Sequence, residues 1–180
     1  MRRNILFGCA CLMMILTACS SASAPPAESA GANDKSAADM ASLELVNSRT
    51  GEMFKLSDFA GKTVWVQPMA TWCLNCRRQM KTLIDVYHQA DLDKIAIVSL
   101  SVAENVDNQT VAAYADEQGF EWIFAIATPE MGRALIDRFG QTVVVPPTTP
   151  HFIIAPDGTV SDLLSGYQDA TAAMALLNGA

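Results

Sequence analysis

The stretch from Ile95 to Val102 is an almost unbroken apolar run without a charge. Such a run suits a strand buried on both faces, and strands of that kind belong to parallel sheets. Parallel neighbours cannot be joined by tight turns, so the chain must place crossover helices between its strands. The rest of the sequence supplies them. Thr63 to Met69 is β-branched and aromatic, bounded by Gly61-Lys62, and predicts the first strong strand. From Cys73 to Ala90, Met80, Leu83, Ile84, Tyr87 and Ala90 recur at helical spacing. Asn108 to Gln118 predicts a helix closed by Gly119. Trp122 to Ala127 predicts another buried strand, and Met131 to Phe139 a helix ended by Gly140. Leu43 to Val46 with Glu52 to Leu56 predicts an N-terminal hairpin. His151 to Ala155, Pro156-Asp157-Gly158 and Thr159 to Leu164 predict a closing one, and Asp169 to Leu177 a last helix. The expected class is α/β, a mixed and mostly parallel sheet flanked by helices.

The first residues read as an address. Met1-Arg2-Arg3-Asn4 is cationic, and Ile5 to Ala18 is apolar or small. This is the layout of a signal peptide, and the run is too short for the roughly 20 residues a membrane span needs. Leu16-Thr17-Ala18-Cys19 resembles a bacterial lipobox, which implies cleavage before Cys19 and lipidation of that cysteine. An ordinary secretory signal with an incidental Cys19 is the alternative. Residues 19–41 are rich in Ser and Ala with Pro25-Pro26, and predict a flexible tether spanning on the order of 25 Å. The expected organisation is signal 1–18, lipidated tether 19–41 and one domain over 42–180.

Composition narrows the function. The 180 residues carry 12 Lys+Arg against 19 Asp+Glu, a formal charge of −7, which excludes a generic phosphate-neutralising nucleic-acid binder. Five cysteines are too few for a dense disulfide scaffold. Cys9 and Cys11 would leave with the signal and Cys19 would carry lipid, so the exported domain would keep Cys73 and Cys76 in a compartment where disulfides persist.

Trp72-Cys73-Leu74-Asn75-Cys76 sits where the first strong strand ends and a helix begins. Ligands collect at that end of parallel strands. Cysteines three apart on a first helical turn can bridge with little backbone movement. The helix N-terminus favours a thiolate at Cys73, while Cys76 one turn along is shielded. This assigns an exposed attacking thiol to Cys73 and the resolving thiol to Cys76. Arg77 and Arg78 are solvated helix-face cations or aids to the anionic sulfur. Zinc would need more ligands than His88 and His151 supply, and Arg77 stands where c-type haem attachment requires His. A purely structural bridge closing so short a loop would stabilise little. No metal or other cofactor is expected.

Gly61-Lys62-Thr63-Val64-Trp65-Val66 followed by Ala70-Thr71-Trp72-Cys73-Leu74-Asn75-Cys76-Arg77, with Leu56-Ser57-Asp58-Phe59 before it, resembles membrane-anchored thioredoxin-like proteins of the TlpA/ResA type. Thr149-Pro150-His151-Phe152 through Pro156-Asp157-Gly158 is similar to the thioredoxin segment that a cis-proline opens. The resemblance implies a thioredoxin-like fold with an N-terminal hairpin and a Cys73–Cys76 redox disulfide. It makes Trp72 an apolar platform, Pro150 the cis-proline facing the thiols (Pro147 being the alternative), and Thr149 a backbone partner for an extended substrate segment. Gln67 and Gln79 depart from it, standing where relatives often carry Asp and Glu, so neither can act as a base. A water or His151 could substitute, although an ordinary polar role at the strand start is the simpler account of His151.

The function implied is thiol-disulfide exchange at the extracytoplasmic face of the cell membrane, through a lipid anchor. A reductase is expected, with oxidised exported proteins as substrates (apocytochromes c and methionine sulfoxide reductases among them) and a thiol-transporting membrane reductase of the CcdA/DsbD type as electron donor. The alternatives are an oxidant or isomerase, a thiol peroxidase, for which Pro68 to Cys73 has the wrong spacing, and a non-catalytic partner-binding lipoprotein.

Overall fold

The structure is a computed structural model that describes residues 37–180. The signal, Cys19 and the tether up to residue 36 lie outside the described residues. A small hairpin of β1 (Leu45–Val46) and β2 (Met53–Phe54) precedes the main sheet. At the centre lies β3 (Thr63–Met69), buried along its whole length. On one side β4 (Ile95–Ser101) runs parallel to it from Thr63↔Ile95 to Met69↔Ser101, and β5 (Ile123–Ile126) runs parallel to β4. On the other side β6 (Phe152–Ile154) is antiparallel, giving the order β5-β4-β3-β6. The expected mixed sheet is therefore present.

The strand alternation divides the core. Trp65 and Met69 face one apolar cluster, with Met80, Leu83 and Val86 of α1 (Leu74–Gln89), Val111 and Ala115 of α2 (Asn108–Gln118), and Ala173 and Leu177 of α4 (Ala170–Asn178). Val64 and Val66 face the other, with Met131 and Leu135 of α3 (Pro129–Phe139). Side-chain acceptors start the helices: Asp107, Thr128 and Asp169 each take a backbone N–H in the first turn. Thr128 as cap with Pro129 in the first turn starts α3 before the expected Met131.

Three segments differ from expectation. Residues 37–41 are helical, and Ala37, Met40 and Ala41 are buried in the second cluster, so the end of the expected tether belongs to the domain. Beyond Phe54 the N-terminal hairpin gives way to a 3-10 turn, Leu56–Phe59, because Asp58 Oδ2 captures the Lys55 N–H at 2.7 Å. The second arm of the closing hairpin reduces to single bridges, Ile154↔Val160 and His151↔Leu164. There the Ser161 hydroxyl, not a ladder carbonyl, accepts the Ile153 N–H at 3.0 Å.

Candidate active site around Cys73 and Cys76

The polypeptide leaves β3 at Met69 and turns through Ala70, whose carbonyl accepts the Cys73 N–H at 3.0 Å. Cys73 is the N-cap of α1: its backbone is extended, and its Sγ accepts the Cys76 N–H at 3.1 Å. A helix start leaves backbone donors without intrahelical partners, and here a sulfur takes one of them. The two sulfurs are in contact as a Cys73–Cys76 pair, with Cα atoms 5.3 Å apart. Cys76 Sγ lies 3.1 Å from the Pro146 carbonyl oxygen, the acceptor open to its S–H when the pair is reduced.

The expectation of a solvent-facing Cys73 is corrected. Cys73 is 2% exposed and Cys76 0%. Capping turns the Cys73 sulfur inward, and both residues join the apolar cluster with Met69, Ala70 and Met80. What reaches solvent is the rim, with Trp72 64% and Leu74 69% exposed on either side of Cys73.

The opposing wall is the turn Pro146–Thr148, which packs on α1. Asn75 Nδ2 donates to the Pro147 carbonyl at 2.9 Å. The carbonyls that reach the cysteine turn are thus those of Pro146 and Pro147. Pro150 is buried, and its carbonyl accepts from Gln67 Nε2 at 3.3 Å. Thr149 is left-handed at φ 54; its N–H is bonded to the Pro146 carbonyl, and its own carbonyl meets His151 Nδ1 at 3.1 Å. The Thr149 N–H expected to pair with a substrate is already engaged, so pairing through it requires this turn to open, whereas its carbonyl keeps a second lone pair.

Gln67 and Gln79 are fully buried and each uses both ends of its amide. Gln67 Oε1 accepts from Trp65 Nε1 at 3.2 Å while its Nε2 serves Pro150. Gln79 Oε1 accepts the Gln168 N–H at 2.7 Å and its Nε2 donates to the Gln168 carbonyl at 3.1 Å. A carboxylate has no donor for the second bond in either place, which accounts for the amide at both positions. Gln79 thereby ties the cysteine-bearing helix to the segment leading into α4.

His151 is buried too, its ring stacked on Trp65 with centroids 4.4 Å apart and planes 6° apart. Its Nε2 has no hydrogen-bond partner. Burial holds the imidazole below its ordinary value, and the Thr149 carbonyl opposes that shift. The unfolded chain therefore binds this proton at higher pH than the folded chain. The stability due to a neutral His151 is full above about pH 6.5 and is lost as pH falls below it. Urea unfolding should show a lower midpoint at about pH 5.5 than at about pH 7.5, and His151→Phe should flatten that difference. A midpoint that stays level or rises on acidification of the unaltered chain contradicts this account. Exposed carboxylates whose pKa is lowered, Asp91, Asp107, Glu130 and Asp157, lose their contributions at lower pH, below about 4.5.

Sequence reasoning missed the contribution of Tyr167. Its hydroxyl lies 2.9 Å from Thr82 Oγ1, and the Arg78 guanidinium sits 4.4 Å above its ring. The separation of 89 residues between Tyr167 and Arg78 in sequence order left no local pattern to find it by.

The AhpC/TSA family matches residues 36–163, well over half of the chain. The protein belongs to the AhpC/TSA family. Among relatives similar to it, the thiol-disulfide oxidoreductase ResA of Bacillus thuringiensis is 26% identical over 124 residues, covering 69% of this chain and 66% of that protein. The chain thus spans just under two thirds of that relative's length. The thioredoxin-like protein YneN of Bacillus subtilis is 32% identical over 123 residues, covering 65% of this chain and 64% of that protein. The thioredoxin domain of a thiol-disulfide oxidoreductase from Bacteroides vulgatus superposes with a TM-score of 0.60 at 16% identity, covering 76% of this chain and 93% of that chain. The thioredoxin-like fold and the ResA-type resemblance are borne out.

Proposed function

We propose that this AhpC/TSA member is an extracytoplasmic thiol-disulfide oxidoreductase, anchored by lipid on Cys19, that reduces disulfides of exported proteins through Cys73 and Cys76. The observation that carries it is the contact of the two sulfurs at the head of α1, with Cys73 as helix cap. The names of the relatives support the same chemistry.

In the reduced chain, the cap position and the helix dipole favour the Cys73 thiolate. That thiolate attacks one sulfur of a substrate disulfide. The substrate S–S bond breaks, and its other sulfur leaves as a thiolate that takes up a proton. Cys76 then loses its proton and attacks Cys73 Sγ. The mixed bond breaks, the second substrate sulfur leaves and is protonated, and the chain is left with a Cys73–Cys76 disulfide. The substrate has gained two electrons and the chain has lost two. A membrane reductase of the CcdA/DsbD type restores the dithiol with two electrons. Trp72 provides the apolar platform, the Pro146–Thr148 turn is the opposing wall with the Thr149-Pro150 segment following it, and the wall must open because Cys73 is covered.

The potential of the Cys73–Cys76 couple, equilibrated against glutathione, tests the direction. A reductase predicts a value towards about −270 mV, as in thioredoxin, and a value near about −120 mV makes the chain an oxidant instead. Cys76→Ser should trap substrates as mixed disulfides on Cys73; recovery of none from the exported proteins of the cell would count against the reading.

A further inference from the structure

Beside the cysteine pair, between the head of α1 and the segment before α4, lies a pocket of about 230 Å³ lined by Asn75, Arg78, Pro147, Thr148, Thr149 and Tyr167. It adjoins the covered sulfurs through two of its walls. Asn75 stands between the cysteines, and Pro147 follows the residue whose carbonyl meets Cys76. The volume suits one side chain rather than a folded element.

We propose that this pocket is a specificity subsite for a carboxylate side chain lying near the disulfide of a polypeptide substrate, with Arg78 as the residue that reads it. The inference rests on the oxidoreductase function above and names the substrate class it selects. Arg78 is held by its stack on Tyr167, whose ring is itself fixed through Thr82. The ring contact leaves the guanidinium N–H groups without a hydrogen-bonded acceptor, and a carboxylate matches that fork with two bonds. Among the described residues, Arg78 makes neither a side-chain hydrogen bond nor an ion pair, whereas Arg49 and Arg133 both do. Arg77 acts on Tyr114 and does not line this pocket, so the cation at the mouth is Arg78, on a chain whose formal charge is −7. The rest of the surface attracts basic segments, and this spot rejects them. In an unmodified polypeptide, the anionic side chains are carboxylates.

Short peptides with one internal disulfide, identical except for Glu, Gln or Lys two residues from a cysteine, test this against the reduced mature chain. The readout is kcat/KM for peptide reduction. The Glu peptide should exceed the Gln peptide by about 5-fold to 10-fold, with the Lys peptide slowest. The preference should shrink in about 1 M salt, where screening acts over roughly 3 Å. It should vanish in Arg78→Gln, persist in part in Arg78→Lys, and survive in Arg77→Gln, which removes the same charge outside the pocket. Equal rates for Glu and Gln peptides overturn the subsite. So does a preference that Arg78→Gln leaves intact, or one that Arg77→Gln abolishes equally, since either result points to the general field. If no peptide disulfide is reduced at all, the oxidoreductase reading fails and the subsite falls with it.

Discussion

Cys73→Ser should stop disulfide exchange while leaving the fold in place. The hydroxyl cannot form the mixed disulfide, so the reduction rate should fall by roughly 10³-fold or more, the scale of losing a nucleophile. The stability should barely move, because Ser is itself a favoured N-cap and can accept the Cys76 N–H now held by sulfur. The two outcomes are read separately, by a disulfide-reduction assay and by urea unfolding under reducing conditions. A variant that keeps activity within about ten-fold of the parent would move the chemistry away from this sulfur.

The largest stability effect is expected at Trp65→Ala. Trp65 is fully buried, forms one face of the His151 stack and donates to Gln67. Removing the indole costs about 3–5 kcal/mol in packing and cavity. It also leaves Gln67 Oε1 without its donor in a buried place, which adds to the loss. With a urea dependence of about 2 kcal/mol/M, the unfolding midpoint should drop by about 2 M. A drop of less than about 0.5 M would mean that the neighbouring side chains refill the space and that the stack matters little.

The apolar pattern made the centre of the fold legible. β3 and β4 are hydrophobic on both faces and flanked by Gly61 and by the helical periodicity of α1, so their place between helices followed from burial alone. The cysteine turn was legible for the same reason, since a strand end and a helix start fix its position. The signal at residues 37–41 was present but sparse: Ala37, Met40 and Ala41 have helical spacing, yet the Ser- and Ala-rich run before them outweighed it. The second arm after Gly158 looked like a strand, and Ser161 decides otherwise through a bond that hydropathy does not encode. The partners of Gln67 and Gln79 lie far away in the chain, at Pro150 and Gln168, so no local pattern could reveal why amides stand there. The covering of Cys73 was hidden for a related reason: the helix start was foreseeable, but the inward turn of its sulfur against Met69, Ala70 and Met80, and the packing of the Pro146–Thr148 turn on α1 beside Cys76, are tertiary facts.

That closed turn has a consequence for selectivity. A sulfur so well covered meets few collisions with small thiols diffusing past, and the bonds at Thr149 keep the cover shut. A polypeptide substrate that grips Trp72 and Leu74 brings its own leverage and can hold the cover aside while sulfurs trade partners. Access therefore slows exchange with low-molecular-weight thiols, and contact of a peptide or protein with the rim acts as the key.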